Sequence, residues 1–161
     1  MRNWSQRTRE IAYLLNPAFC GRLLYAAIKE YEKKTTHEFP FPLVYLILPL
    51  VLHKQTRDAI NSRTVLPQWA QTNQQLLIGF GRRAKDLILI TNEALEFLLQ
   101  TGMIQLTSDG ALCASSKKGL SKIKYVNPEI SQCITKSENV ARWFANTGKV
   151  ETIYICLGVR P

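Results

Sequence analysis

TNEALEFLLQTGMIQLTSDGALCA, residues 91–114, holds three structural signals in succession. Thr91 is a residue type that caps helices, and Leu95, Leu98 and Leu99 recur at helical spacing as an apolar stripe. The stretch reads as a capped helix over residues 91–101, stopped by Gly102, whose backbone is free to turn left-handed. Apolar and polar residues then alternate on both sides of Asp109-Gly110, a dipeptide suited to the positive φ of a tight hairpin turn.

A module begins near Ser62. Pro67 opens a short helix, and residues 72–88 supply a longer one. Helix, helix, capped helix, glycine, hairpin is the order of a winged helix-turn-helix unit, placed over residues 62–116. Residues 1–61 read as a helical N-terminal part, with a first helix over 5–15. Asn16-Pro17 then starts another, because Asn caps a helix and Pro suits its first position. Phe19, Leu23, Ala26 and Ala27 give it an apolar face, and Lys29, Lys33 and Lys34 favour its C-terminal end. Beyond the Phe39-Pro-Phe-Pro42 break, residues 43–52 are apolar on all sides, as a central core helix would be, and 53–58 continue it in polar form.

Residues 117–161 form the third sub-region. After a lysine-rich link, a helix starts at Pro128, carries Ile130, Ile134, Val140, Trp143 and Phe144, and ends at Gly148. Residues 150–157 are rich in β-forming types and read as a strand that pairs with the wing or with a partner. The fold class is therefore α+β, mainly helical, in one compact domain: a winged helix-turn-helix-like unit between an N-terminal helical part and a C-terminal helix plus strand.

Composition narrows the function. With 46% hydrophobic and 20% charged residues, the chain is no disordered tail. Its formal charge of 21 − 12 = +9 calls for something acidic nearby: nucleic acid, an anionic membrane or an acidic protein. The most apolar run, residues 39–52, is shorter than the about 18 residues a spanning helix needs and is interrupted by Pro40, Pro42 and Pro49. No signal peptide is expected either, because residues 1–10 lead into no long apolar region. A soluble, cytoplasmic protein without membrane partners is the expectation.

No catalytic, metal or cofactor site is expected. Cys20, Cys113, Cys133 and Cys156 form no CxxC pair and read as reduced, packed thiols. His37 and His53 lack partners at ligand spacing, and no Ser-His-Asp, Cys-His or paired-acid arrangement stands out. Gly79-Phe80-Gly81 lacks the remaining parts of a phosphate loop and reads as a bend or a close helix contact.

A winged helix reads DNA through its third helix. Here that helix, residues 91–101, carries Glu93 and Glu96 and neither Lys nor Arg, so it would repel phosphates and has no guanidinium for guanine. The cations lie elsewhere, at Arg82, Arg83 and Lys85 before it and at Lys117, Lys118, Lys122 and Lys124 after the wing. Such groups hold phosphates without reading sequence, or dock an acidic partner; both readings stand at this point.

Asn16-Pro-Ala-Phe-Cys20, Phe39-Pro-Phe-Pro-Leu43 with the apolar run to His53, the winged-helix-like middle and Leu157-Gly-Val-Arg-Pro161, in this order, resemble the middle component of bacterial three-component ABC systems. The resemblance covers nearly the whole chain. It implies a non-enzymatic adaptor between an SMC- or Rad50-like ABC ATPase and a third, effector-type component in anti-phage defence; the Menshen type is one system of this plan. Nonspecific DNA contact and a homo-oligomeric arrangement within the complex are further partner expectations. No catalytic residues carry over. Asn16, Pro17, Phe19, Gly158, Arg160 and Pro161 carry over as structural or interface positions. The alternative is a stand-alone winged-helix DNA-binding transcription regulator, with a hydrolase or nuclease subunit as the third.

Overall fold

Asn16 and Pro17 set the first helix as their residue types dictate. The computed structural model describes residues 15–115 and 127–160; the helix expected over 5–15 lies almost entirely outside them. Asn16 Oδ1 accepts a hydrogen bond from the Ala18 amide at 2.8 Å, and Pro17 occupies the first position of α1, Pro17–Thr35. Lys33 and Lys34 sit in its last turn, where the helix dipole favours cations. Leu23, Leu24, Ala27 and Ile28 are fully buried, so α1 is a central element rather than a surface one.

After β1 (Phe39–Pro40) and a 3₁₀ turn over Phe41–Leu43 comes α2, Val44–Val51. Its Val44, Leu46, Ile47, Leu48, Leu50 and Val51 are all buried, which accounts for its lack of a polar face. The remaining described elements are α3 (Lys54–Ala59), α4 (Leu66–Thr72), α5 (Gln74–Leu77), α6 (Phe80–Asp86), α7 (Ile88–Gln100), β2 (Ile104–Leu106), β3 (Ala111–Ala114), α8 (Pro128–Thr147) and α9 (Val150–Cys156). Helix α1 packs against both α7 and α8. One buried apolar cluster joins Leu23 and Ile28 of α1, Leu95 and Leu98 of α7, and Val140 and Phe144 of α8.

The hairpin expected at Asp109-Gly110 forms, with Gly110 at φ 77° and antiparallel pairing of Ile104 with Ala114 and Leu106 with Leu112. It gains a third strand from outside residues 62–116: β1 pairs antiparallel with β3, Phe39 opposite Leu112, giving the sheet order β1-β3-β2. Glu32 of α1 fastens this sheet, its Oε1 accepting from the Ala114 amide at 2.9 Å. Gly102, at φ 66°, stops α7 as its position requires.

Four expectations are corrected. Thr91 caps nothing: α7 begins at Ile88, and Thr91 lies buried within it, its Oγ1 donating to the Leu87 carbonyl at 2.9 Å. Burial of Ile90 beside it extends the helix backward past the capping residue type. The helix over 72–88 is instead α5 and α6, broken at Asn73 (φ −119°) and at left-handed Gly79 (φ 72°). Residues 53–58 do not continue α2. His53, in extended backbone, caps a separate α3 by accepting from the Thr56 amide. Residues 150–157 form helix α9, not a strand. Ile153, Tyr154 and Leu157 are buried and Val150 packs against the core with them, at i, i+3, i+4 and i+7, while Ile155 is exposed, and that period outweighs β-branched composition.

The C-terminal helices are held by a polar clamp around Arg57, which is only 3% exposed. Its guanidinium donates to the Val51 carbonyl at 3.0 Å, Gln132 Oε1 at 3.2 Å and Glu129 Oε1 at 2.6 Å. Beside it Gln132 donates to Asp58, and Lys136 Nζ to the Ile60 carbonyl. The indoles of Trp69 and Trp143 lie 5.0 Å apart and donate to the carbonyls of Ala59 and Thr64. An Arg142–Glu30 pair at 2.7 Å adds α1 to α8.

This packing has two measurable consequences. Arg57→Ala removes every bond the guanidinium makes and should cost about 3 kcal/mol in urea unfolding, whereas Glu129→Ala, lost from a solvated position, should cost about 1 kcal/mol. Equal costs would show that the carbonyl and Gln132 bonds contribute little. Burial raises the Glu32 carboxyl above its ordinary value, against the lowering effect of the Ala114 amide. The folded state thus holds the proton more tightly, so stability falls as pH rises from the unfolded value through the folded one. Glu32→Gln keeps an acceptor for Ala114 and should abolish that decline as pH rises above the ordinary carboxylate range; parallel profiles for the two proteins would contradict it.

Candidate interaction site

Only part of the basic group before α7 faces solvent. Arg82 and Lys85 are exposed on α6. Arg83 turns inward: its guanidinium donates to the carbonyls of Leu76 at 2.8 Å and Ile78 at 3.1 Å and lies 5.7 Å from the Phe80 ring centre. It ties the α5–α6 loop to α6 and is a structural residue. Lys117, Lys118, Lys122, Lys124 and Pro161 lie outside the described residues.

The chain end comes back to α6. Gly158 takes φ 67°, the Gly158 amide donates to the Ile155 carbonyl and the Val159 amide to the Tyr154 carbonyl, so the tail turns sharply after α9. Val159 then lies against Gly81, where a Cβ would meet Val159 Cγ1 at 3.3 Å. Gly81 therefore serves close approach, the reading expected of the Gly79-Phe80-Gly81 stretch. Arg160, exposed, ends up facing the same space as Arg82 and Lys85.

That space is a cleft of about 710 Å³. Leu46, Ala84, Ile88 and Val159 give it aliphatic walls, Tyr45 and Tyr154 add their rings, and Arg82, Lys85 and Arg160 supply the only formal charges among the described lining residues. Among the described residues none of these three cations has an ion-pair or hydrogen-bond partner. Both tyrosine hydroxyls are engaged: Tyr45 donates to Asn92 Oδ1 and Tyr154 to the Pro42 carbonyl, each at 2.8 Å. The sequence named the cations one by one but missed Tyr45, Ile88 and Tyr154. The period of residues 150–157, taken as helical, is the signal that turns Tyr154 inward.

Helix α7, which holds the position of a recognition helix but is expected to repel phosphates, presents another surface. Glu96 is exposed and accepts from Gln100, Glu93 is half-buried, and Leu89 and Leu99 are open to solvent. Asn16, Pro17 and Phe19 act in helix initiation and packing, Phe19 lying half-buried against the core.

Burial, with the nearby charge of Glu93, pushes the Cys20 thiol up to about 12, so it stays protonated. Burial and the charges of Arg83 and Arg57 lower His53, and its Nδ1 is spent on Thr56. Among the described residues no group of three or more His, Cys, Asp or Glu is placed to hold a metal ion, and no helix is long and apolar enough to cross a membrane.

The division between Arg82 and Arg83 is directly measurable. Arg83→Ala should lower the unfolding free energy by about 1–2 kcal/mol through its lost carbonyl bonds, and Arg82→Ala by less than about 0.5 kcal/mol. Equal losses in denaturant titration would contradict the inward role of Arg83.

A search of curated proteins and one of solved structures each find no match. The model of one protein family does match, over residues 4–161, which spans all three sub-regions. The chain belongs to the family described as ABC-three component (ABC-3C) system Middle Component 3.

Proposed function

We propose that this middle component is a non-enzymatic adaptor, linking an SMC- or Rad50-like ABC ATPase to a third, effector-type component in a cytoplasmic anti-phage defence complex. Its membership of a middle-component family over residues 4–161 carries the reading. The surface supports it. An adaptor needs faces that bind other proteins, and this chain has an apolar cleft rimmed by cations that are unpaired among the described residues, and a separate helix with exposed Leu89 and Leu99.

The order α1, β1, intervening helices, α7, β2, β3, with β1 paired to β3, supports a winged-helix-like unit that begins at α1 rather than near Ser62. By resemblance, small winged-helix subunits that accompany SMC-type ATPases bind mainly protein. The acidic α7 suits that role and disfavours base readout. Any DNA contact then runs through the phosphate backbone, from Arg82, Lys85 and the lysines at 117, 118, 122 and 124, and is sequence-independent.

Co-expression with the other two components of the system tests the proposal. The chain should co-elute with them in size exclusion; a chain that always elutes alone overturns the adaptor reading. In DNA titrations, affinity should be the same for unrelated duplexes and fall steeply with salt. Tight binding to one sequence, by about a thousandfold over others, would favour the stand-alone regulator.

A further inference from the structure

The cleft between α6 and the C-terminal tail has a composition that selects its occupant. Its walls are aliphatic, from Leu46, Ala84, Ile88 and Val159, and its charges are three exposed cations with no partner among the described residues. We infer that this cleft receives a short acidic segment of a partner polypeptide, an apolar side chain seated on the aliphatic walls and flanking carboxylates paired with Arg82, Lys85 and Arg160.

Charge complementarity requires an anionic occupant, and the walls discriminate among anions. A single nucleic acid strand seated in a cleft is held by phosphate contacts together with open aromatic faces on which bases stack, and a duplex touching the rim cations through its backbone would leave the aliphatic walls unfilled. The rings here are committed: Tyr154 is 7% exposed, and Tyr45 meets Phe41 edge-on at 5.9 Å. The aliphatic walls instead offer burial to a side chain such as leucine, and two planar guanidiniums match carboxylates in two-point geometry. The cleft is also pre-formed. Gly158 turns the tail, Tyr154 anchors it on the Pro42 carbonyl, and Gly81 lets Val159 close one wall. Little ordering remains to be done when the segment arrives.

The inference rests on the adaptor reading for where the segment comes from, and on the cleft alone for its chemistry. The probes are fluorescein-labelled peptides of about ten residues, one alternating aspartate with leucine and one alternating serine with leucine, and an oligothymidine of the same length. They are titrated against the full chain by anisotropy. The aspartate peptide should bind about tenfold or more tightly than either control, and Arg82→Glu/Arg160→Glu should abolish that preference. All mutated groups are exposed, so the thermal midpoint of the variant should stay that of the parent. Equal binding of the two peptides, preference for oligothymidine, no binding of any probe, or a variant that binds like the parent each overturns the inference.

The same variant is then co-expressed with the other system components. Loss of co-elution supports the cleft as the docking site; undiminished co-elution overturns it and leaves the adaptor reading in place. If the parent chain itself does not co-elute, the adaptor reading fails, and the peptide titration still decides the chemistry of the cleft.

Discussion

The Arg57 guanidinium is buried, and such a charge is tolerable only where acceptors surround it. Its acceptors come from the end of α2 and the first turns of α8, elements far apart in sequence. With α8 held there, the C-terminal part of the chain has its position set. Trp143 meets Trp69, α9 packs against α4 and α8, and Tyr154 reaches the Pro42 carbonyl. The tail that closes the cleft thus sits at the end of a chain of contacts that begins at one arginine. Position matters more than energy here, because a buried guanidinium adds little net stability but, with its acceptors fixed, admits few alternative arrangements.

Local rules made much of the fold legible. The Asn16-Pro17 start of α1, the Gly102 stop, the Asp109-Gly110 turn and the Pro128 to Gly148 limits of α8 each reflect the φ or capping preference of one or two residues. The features that escaped were set by tertiary contact. The two-residue β1 has no periodicity to reveal it and exists because Phe39 meets Leu112 across the sheet. Thr91 has the chemistry of a cap but is buried by its neighbours. Residues 150–157 have strand composition and helical spacing, and spacing decided because burial acts on faces.

The site divides the same way. Sequence identified Arg82 and Lys85 as cations available to a partner and, through the resemblance, Arg160 as a structural or interface position, and it placed the charge away from α7. It did not show that α6 and the tail bring the three to one cleft, since this depends on a left-handed Gly158 and on the contact between Gly81 and Val159. Nor did it separate Arg83 from its neighbours. Adjacent residues on a helix point about 100° apart, so one faces the loop carbonyls and the other the solvent.

The described residues thus present two distinct surfaces: a cation-rimmed apolar cleft and an acidic helix bearing exposed leucines. An adaptor in a three-component system has use for both, and the first of them suits the docking of an acidic partner segment. Hydrogen exchange, measured on the chain alone and within the assembled system, tests that role most directly. Slowed exchange at residues 80–86 and 154–160 on assembly is the expected result. Slowing confined to α7 and the hairpin, with those two segments unchanged, would contradict it.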